Sequence, residues 1–271
     1  MARFADKVAI VTGAASGIGA AITRLMVAEG AKVLAADIDP EALTHDDPAV
    51  TNHICDVSSA EQAESMVREA ISRFGRLDVL FNNAGTGALA ETPDMTNQIW
   101  ERVFAVNVTA VLYTCRAAIP QMRTQGGGAI VNTASISGLF ADYGFAAYNA
   151  SKGALINYTR SLAIDHARDK IRVNAFCPGF IGGTRLTGPL EASPARPLWD
   201  QVVPLGRPGT PDEMAKVAVF LASDDASYVT GSIVVADGGL TAHTGQPNLM
   251  ALMRGMGPAM ASRAPAAEIK Q

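Results

Sequence analysis

The chain has 271 residues with 22 Lys+Arg against 26 Asp+Glu, a formal net charge of −4. Hydrophobic residues make up 48% and charged residues only 18%, below the roughly 25% of an average soluble domain, so a sizeable core is expected and some surface is apolar enough to bury against other subunits. This balance, without Lys/Arg clusters, argues against nucleic acid or an anionic membrane as main partner and against disorder.

The first residues run straight into a strand-like segment without a basic, apolar and cleavable leader pattern, which predicts no export signal. Short β-branched runs then alternate with helical patterns, as in βαβ units. In chain order the pattern predicts a strand at 8–12, a helix at 17–29, strands at 33–37 and 51–55, a helix at 59–74, a strand at 79–82, a long helix at 96–122, a strand at 129–133, a helix at 148–168, a strand at 172–176, a helix at 211–223 and a last strand at 233–236. Ser59 to Gln62 resembles a capping box, and Pro211 suits a first helical position. Several strands are apolar throughout, which predicts helices on both sheet faces. The expected fold is α/β, a doubly wound Rossmann arrangement with a seven-stranded parallel sheet flanked by helices on both faces. One domain spans residues 1–240. Residues 184–208 hold five prolines and read as a substrate loop with one short helix near Trp199, and residues 241–271 form a C-terminal extension. The charge-free stretch 124–141 is a poor membrane span because of Gly126, Gly127, Gly128 and Asn132.

Cys55, Cys115 and Cys177 are too few for a disulfide framework and share no metal-ligand spacing with His45, His53, His166 or His243. Reduced thiols, a cytoplasmic location and no metal are the expectations. Chemistry first surfaces at Gly13, Ser16, Gly17, Ile18 and Gly19, between the first strand and its helix. Glycines there let the backbone turn tightly and approach a diphosphate, and the helix start supplies N–H donors and positive dipole. Asp37 ends the second strand where a carboxylate can accept bonds from an adenosine ribose, and it would repel a 2′-phosphate. With no Arg or Lys at positions 14–16, 38 or 39, NAD is favoured over NADP. Asp56 and Val57 follow the third strand and Asn83, Ala84 and Gly85 the fourth, so all face the same crevice.

Tyr148 and Lys152 stand four residues apart on one helix face, where an ammonium can stabilise a phenolate. Ser135 precedes Tyr148 by thirteen residues, just past the fifth strand, and Asn107 lies in the long helix. Together with the glycine turn, Asn82 to Gly85 and Cys177-Pro178-Gly179, these motifs resemble the short-chain dehydrogenase/reductase family over about residues 5–240. The resemblance implies a catalytic set in which Tyr148 exchanges a proton with an alcohol or ketone, Lys152 lowers its pKa and holds the nicotinamide ribose, Ser135 stabilises the reacting oxygen and Asn107 holds a relay water. It also implies cofactor contacts at Gly13, Ser16, Gly17, Ile18, Gly19, Asp37, Asp56, Val57, Asn83, Ala84, Gly85, Pro178, Gly179 and Ile181. Relatives usually place a Thr five residues after the proline. Here that position is Gly183, with Thr184 one place later.

The reaction implied is hydride transfer between NAD(H) and a secondary alcohol or ketone. Ser137, Tyr143, Phe145, Phe180 and Trp199 are candidate pocket residues, mainly apolar, which points to an uncharged hydrophobic cyclic or aryl substrate. Reduction of a 3-oxoacyl thioester is the alternative within enzymes, and a non-catalytic NAD-binding scaffold or redox sensor the alternative outside them. The resemblance further implies a homotetramer built through the helices at 96–122 and 148–168 and the last strand, with the extension at a subunit interface.

Overall fold

The computed structural model describes residues 2–194, 196–244 and 249–255. It divides into two compact units, Met1–Leu240 and Thr241–Gln271. The first unit holds seven strands, β1 (Val8–Thr12), β2 (Lys32–Asp37), β3 (Val50–Ile54), β4 (Val79–Asn82), β5 (Gly128–Thr133), β6 (Ile171–Pro178) and β7 (Ile233–Ala236), all parallel in the order β3-β2-β1-β4-β5-β6-β7. The order reverses direction between β1 and β4, which opens a crevice beyond their carboxyl ends.

Alternation along the strands splits the core into two layers. Val8, Ile10, Leu34, Ala36, Leu80 and Ile130 face α2 (Ala60–Phe74), α4 (Ala110–Thr124) and α5 (Ala146–His166). Their neighbours Ala9, Val11, Val33, Ala35, Phe81 and Val131 face α1 (Gly17–Ala28) and α8 (Pro211–Ala222). Each apolar run is therefore a two-sided strand, which is why it reads as continuous. The doubly wound seven-stranded expectation is met.

Local signals explain several boundaries. Ser59 caps α2 by accepting from Gln62 N, but the Gln62 side chain reaches back to Asp56 N (2.9 Å) and thereby fixes a site residue. Thr210 and Glu213 complete a true capping box ahead of Pro211. Strand β6 runs two residues past its expected end because Cys177 and Pro178 pair with Val235 and Ala236.

Two features depart from the sequence reading. The helix expected at 96–122 is α3 (Asn97–Phe104), a π-helical turn at Ala105–Thr109 and α4. By length and composition this run, Asn97–Thr124, could cross a membrane, yet half of its apolar stretch is buried in the protein. The proline-rich segment carries two short helices, α6 (Gly188–Glu191) and α7 (Arg196–Val202), where one was expected. In the second unit Met250 and Met253 lie on α9 (Leu249–Gly255), while Met256 and Met260 lie outside the described residues.

Candidate active site

The crevice at the sheet reversal is lined by Gly13, Ser16, Gly17, Ile18, Asp37, Asp56, Val57, Asn83, Ala84, Gly85, Ser135, Tyr148, Lys152, Pro178, Gly179, Ile181 and Thr184. These include every expected cofactor residue except Gly19, which shapes the turn from behind. A Cβ on Gly19 would lie 2.0 Å from Gly13 O, and one on Gly13, already at φ +67°, would lie 2.9 Å from Ala84 Cα. The turn is tied to β4 by side chains. Thr12 Oγ1 accepts from Asn83 N and Ala84 N at 3.0 Å each, and Asn83 Nδ2 donates to Thr12 O at 3.0 Å.

At the opposite end Asp37 is held by two backbone donors, Ala15 N on Oδ2 (3.0 Å) and Asp39 N on Oδ1 (3.1 Å). Two cations also line the crevice: Arg185, a charged exception among the mainly apolar pocket candidates of the sequence, and Arg102, which sequence reasoning missed. Arg185 comes from the proline-rich segment and pairs with Asp39 Oδ2 at 2.6 Å; Arg102 comes from α3 and pairs with Asp56 Oδ2 at 3.5 Å. The absence of Arg and Lys therefore holds only for positions adjacent in sequence. Thr184 packs against the turn, its Cβ 3.3 Å from where a Gly17 Cβ would be, with its hydroxyl shared with Thr187 at 2.8 Å.

Tyr148 is the third residue of α5 and Lys152 lies one turn on, with Nζ 5.6 Å from the Tyr148 ring centre. Lys152 is 3% exposed and donates to Thr133 O at 2.7 Å. Burial pushes its ammonium down to about 8. Burial pushes the Tyr148 phenol up to about 12, against a lowering contribution from its hydrogen bond with Ser135. Asn107 sits in the π turn and does not line the crevice. Its Oδ1 accepts from Thr86 N (2.9 Å), and its Nδ2 donates to Thr86 O and Ser151 Oγ (2.9 Å each), so its side chain anchors the loop after β4 to α5.

The five candidate substrate residues are placed differently. None lines the crevice. Tyr143 is fully exposed. Phe180 is buried and stacks on Trp199 (4.6 Å, 7°), with Arg196 over its other side, so the pair fixes α7 to the end of β6. Ser137 is buried and hydrogen-bonds Ser135. Phe145 packs edge-on to Tyr148 at 6.1 Å, and both rings and Leu186 Cδ1 lie within 4 Å of where a Gly87 Cβ would be. Among the described residues no group of three His, Cys, Asp or Glu side chains could hold a metal ion.

The arrangement fits a nicotinamide dinucleotide: a turn closed to side chains, a doubly held carboxylate at one end and a Tyr-Lys-Ser cluster at the other. A family model described as enoyl-(acyl carrier protein) reductase matches residues 13–241. The chain is 40% identical to meso-2,3-butanediol dehydrogenase of Serratia marcescens, over 92% of this chain and 100% of that protein. It is 38% identical to cyclohexanol dehydrogenase of Acinetobacter sp. (strain SE19), over 88% and 96%. The crystal structure of a short-chain type dehydrogenase/reductase from Mycobacterium marinum superposes with a TM-score of 0.84 at 35% identity, covering 89% of this chain and 97% of that one. With the geometry of the crevice, these matches establish that the chain belongs to the short-chain dehydrogenase/reductase family and is an oxidoreductase that uses a nicotinamide cofactor.

Proposed function

We propose that the protein interconverts an uncharged, hydrophobic cyclic or aryl secondary alcohol and its ketone with NAD(H). The observation that carries this reading is the convergence of Tyr148, Lys152 and Ser135 on the crevice that also holds the glycine turn and Asp37. When bound, the cofactor exchanges hydride with the carbinol carbon. Tyr148 takes or returns the hydroxyl proton, and Ser135 bonds the reacting oxygen as its charge develops. Lys152 offsets phenolate charge and holds the ribose hydroxyls. Asn107, tied to Thr86 and Ser151, holds a relay water. Leu186 supplies the apolar wall beside Tyr148, with Phe145 packed edge-on against the Tyr148 ring behind it.

NAD preference is supported by the fixed Asp37 carboxylate and by Arg185 and Arg102 being neutralised by their own aspartates. Replacing Asp37 with Ser is expected to lower the NAD over NADP preference by about 10- to 100-fold, the weight of a charge-assisted hydrogen bond. Competing kinetics with the two cofactors check this, and an unchanged ratio counts against the role. A homotetramer is supported by exposed Leu112 and Ile164 on α4 and α5 and exposed Val235 on the edge strand β7.

Similarity to the 3-oxoacyl-[acyl-carrier-protein] reductase of Thermotoga maritima, 41% identical over 88% of this chain and 99% of that protein, keeps 3-oxoacyl thioester reduction as a second reading. A panel of cyclic, aryl and short-chain secondary alcohols with NAD⁺ or NADP⁺, run beside a 3-oxoacyl thioester with NADH or NADPH, tests both through formation or loss of reduced nicotinamide. Turnover of cyclic alcohols with NAD⁺ is the expected result. Turnover confined to the thioester with NADPH would replace the first reading by the second.

A further inference from the structure

The start of the proline-rich segment runs along the crevice and touches it at three places. Thr184 packs on the glycine turn at Gly17, and Leu186 Cδ1 lies 3.2 Å from where a Gly87 Cβ would be. Between them Arg185 reaches the end of β2, where its Nη2 donates to Asp39 Oδ2 at 2.6 Å. Asp39 is in turn tied to the carboxylate that ends the strand, its N–H donating to Asp37 Oδ1 at 3.1 Å. A guanidinium from one side of the crevice is therefore one link away from Asp37 on the other.

Asp39 is built to hold that guanidinium. Its Oδ1 accepts from Glu41 N and Ala42 N at 3.1 Å each, which fixes the carboxyl group and leaves Oδ2 to Arg185. The bond from Arg185, followed by the bond from Ala42 N, keeps the Asp39 carboxyl below its usual range, so the pair is charged at neutral pH. Arg102, the other cation of the crevice, sits at the end of β3 instead, with Nη1 donating to Ser58 Oγ at 2.8 Å and 3.5 Å from Asp56 Oδ2.

The charges at the end of β2 decide what that end of the crevice accepts. Asp37, Asp39 and Arg185 are two carboxylates and one guanidinium, which together oppose an incoming phosphate. Without the Asp39 charge the balance is even. The Arg185 side chain is 55% exposed and would be free to turn its N–H fork onto another anion, and a phosphate matches that fork.

We propose that Asp39 is a specificity-determining residue for the cofactor, which occupies Arg185 and so withholds from a 2′-phosphate the cation best placed to receive it. The proposal deepens the NAD(H) reading above and rests on it. Asp37 refuses the 2′-phosphate by repulsion, whereas Asp39 refuses it by engaging the counter-charge. Cofactor choice is then set in part by an ion pair between β2 and the proline-rich segment.

The test is binding to the full-length protein of NADH and NADPH, which differ only in the 2′-phosphate, read by nicotinamide fluorescence at low ionic strength. Wild type is expected to bind NADH more tightly. Asp39→Asn keeps an acceptor oxygen for Glu41 N and Ala42 N but removes the charge that holds Arg185. In this variant the ratio of the NADPH Kd to the NADH Kd is expected to fall about tenfold, the lower end for a charge-assisted bond because the site is open to solvent. Arg185→Ala, which bares Asp39, is expected to raise the ratio, and the double variant Asp39→Asn/Arg185→Ala to lose the fall. Thermal unfolding identifies an Asp39→Asn protein that fails to fold, in which case Asp39→Ser, whose hydroxyl can serve the same two amides, carries the test. A ratio unmoved by loss of the Asp39 charge overturns the proposal alone. So does a fall that persists in the double variant, since Asp39 would then act by repulsion without Arg185. A wild-type protein that binds NADPH as tightly as NADH overturns the NAD(H) reading, and the proposal with it.

Discussion

Tyr148→Phe is expected to fold, to bind NADH as the wild-type enzyme does, and to lose about 10³- to 10⁴-fold in kcat, the usual weight of a positioned general acid/base. The ring contributes packing against Phe145 and the Gly87 backbone, and phenylalanine keeps that packing. Only the hydroxyl is lost. Burial pushes the phenol up to about 12, so it keeps its proton until the oxygen of a reacting ketone takes it. Phe supplies no group that can exchange a proton with substrate. Single-turnover measurements under saturating cofactor check this. A variant within about tenfold of wild type would move the acid/base role elsewhere in the crevice.

Lys152→Met is expected to separate stability from activity, raising the one and removing the other. The wild-type ammonium is 3% exposed and donates a hydrogen bond to Thr133 O. Burial lowers its pKa from 10.5 to about 8. Below pH 8 both folded and unfolded chains carry the proton, and the folded chain bears the full burden of a desolvated charge, roughly 3 kcal/mol. Between pH 8 and about 10.5 the folded chain sheds the proton while the unfolded chain keeps it, so stability rises through that window. Methionine keeps most of the stem's packing and carries no charge. After allowance for the bond lost to Thr133 O, a gain of about 2 kcal/mol remains, or about 4–8 °C in Tm at pH 7 without cofactor. The advantage should shrink towards pH 10.5. Turnover should fall by at least about 100-fold, because the phenolate of Tyr148 loses its nearby cation. Calorimetry at pH 7 and pH 10 checks the sign, and a Tm at or below wild type at pH 7 would show that the buried ammonium is not destabilising.

The sheet was legible because both-face burial leaves its mark directly: Val8 to Thr12 and Val79 to Asn82 are apolar at successive positions and start and stop as read. The glycine turn and the Tyr148–Lys152 pair were legible because each depends on local spacing. What escaped reading depends on partners distant in sequence. Ala105 to Thr109 contains no Gly or Pro, and its π turn accompanies an Asn107 side chain tied to Thr86 and Ser151. Arg102 and Arg185 reach the crevice from 46 and 146 positions away from their acidic partners. Ser137 and Phe180 looked like pocket residues because they flank catalytic motifs. Hydrogen bonding commits the first to Ser135 and Asp142, and stacking commits the second to Trp199.

The bonds from Asn83 and Ala84 to Thr12 bear on how the protein acquires its site. The glycine turn takes its shape from residues about 70 positions downstream. Strand β4 must dock beside β1, across the point where the sheet changes direction, before Gly13 and Gly19 are held in register. Closing that large loop is slow compared with forming the local β1–α1 turn. Cofactor affinity during refolding therefore reports completion of the central sheet, and nicotinamide nucleotide stabilises the assembled unit as a whole, with no purchase on its first βα element alone.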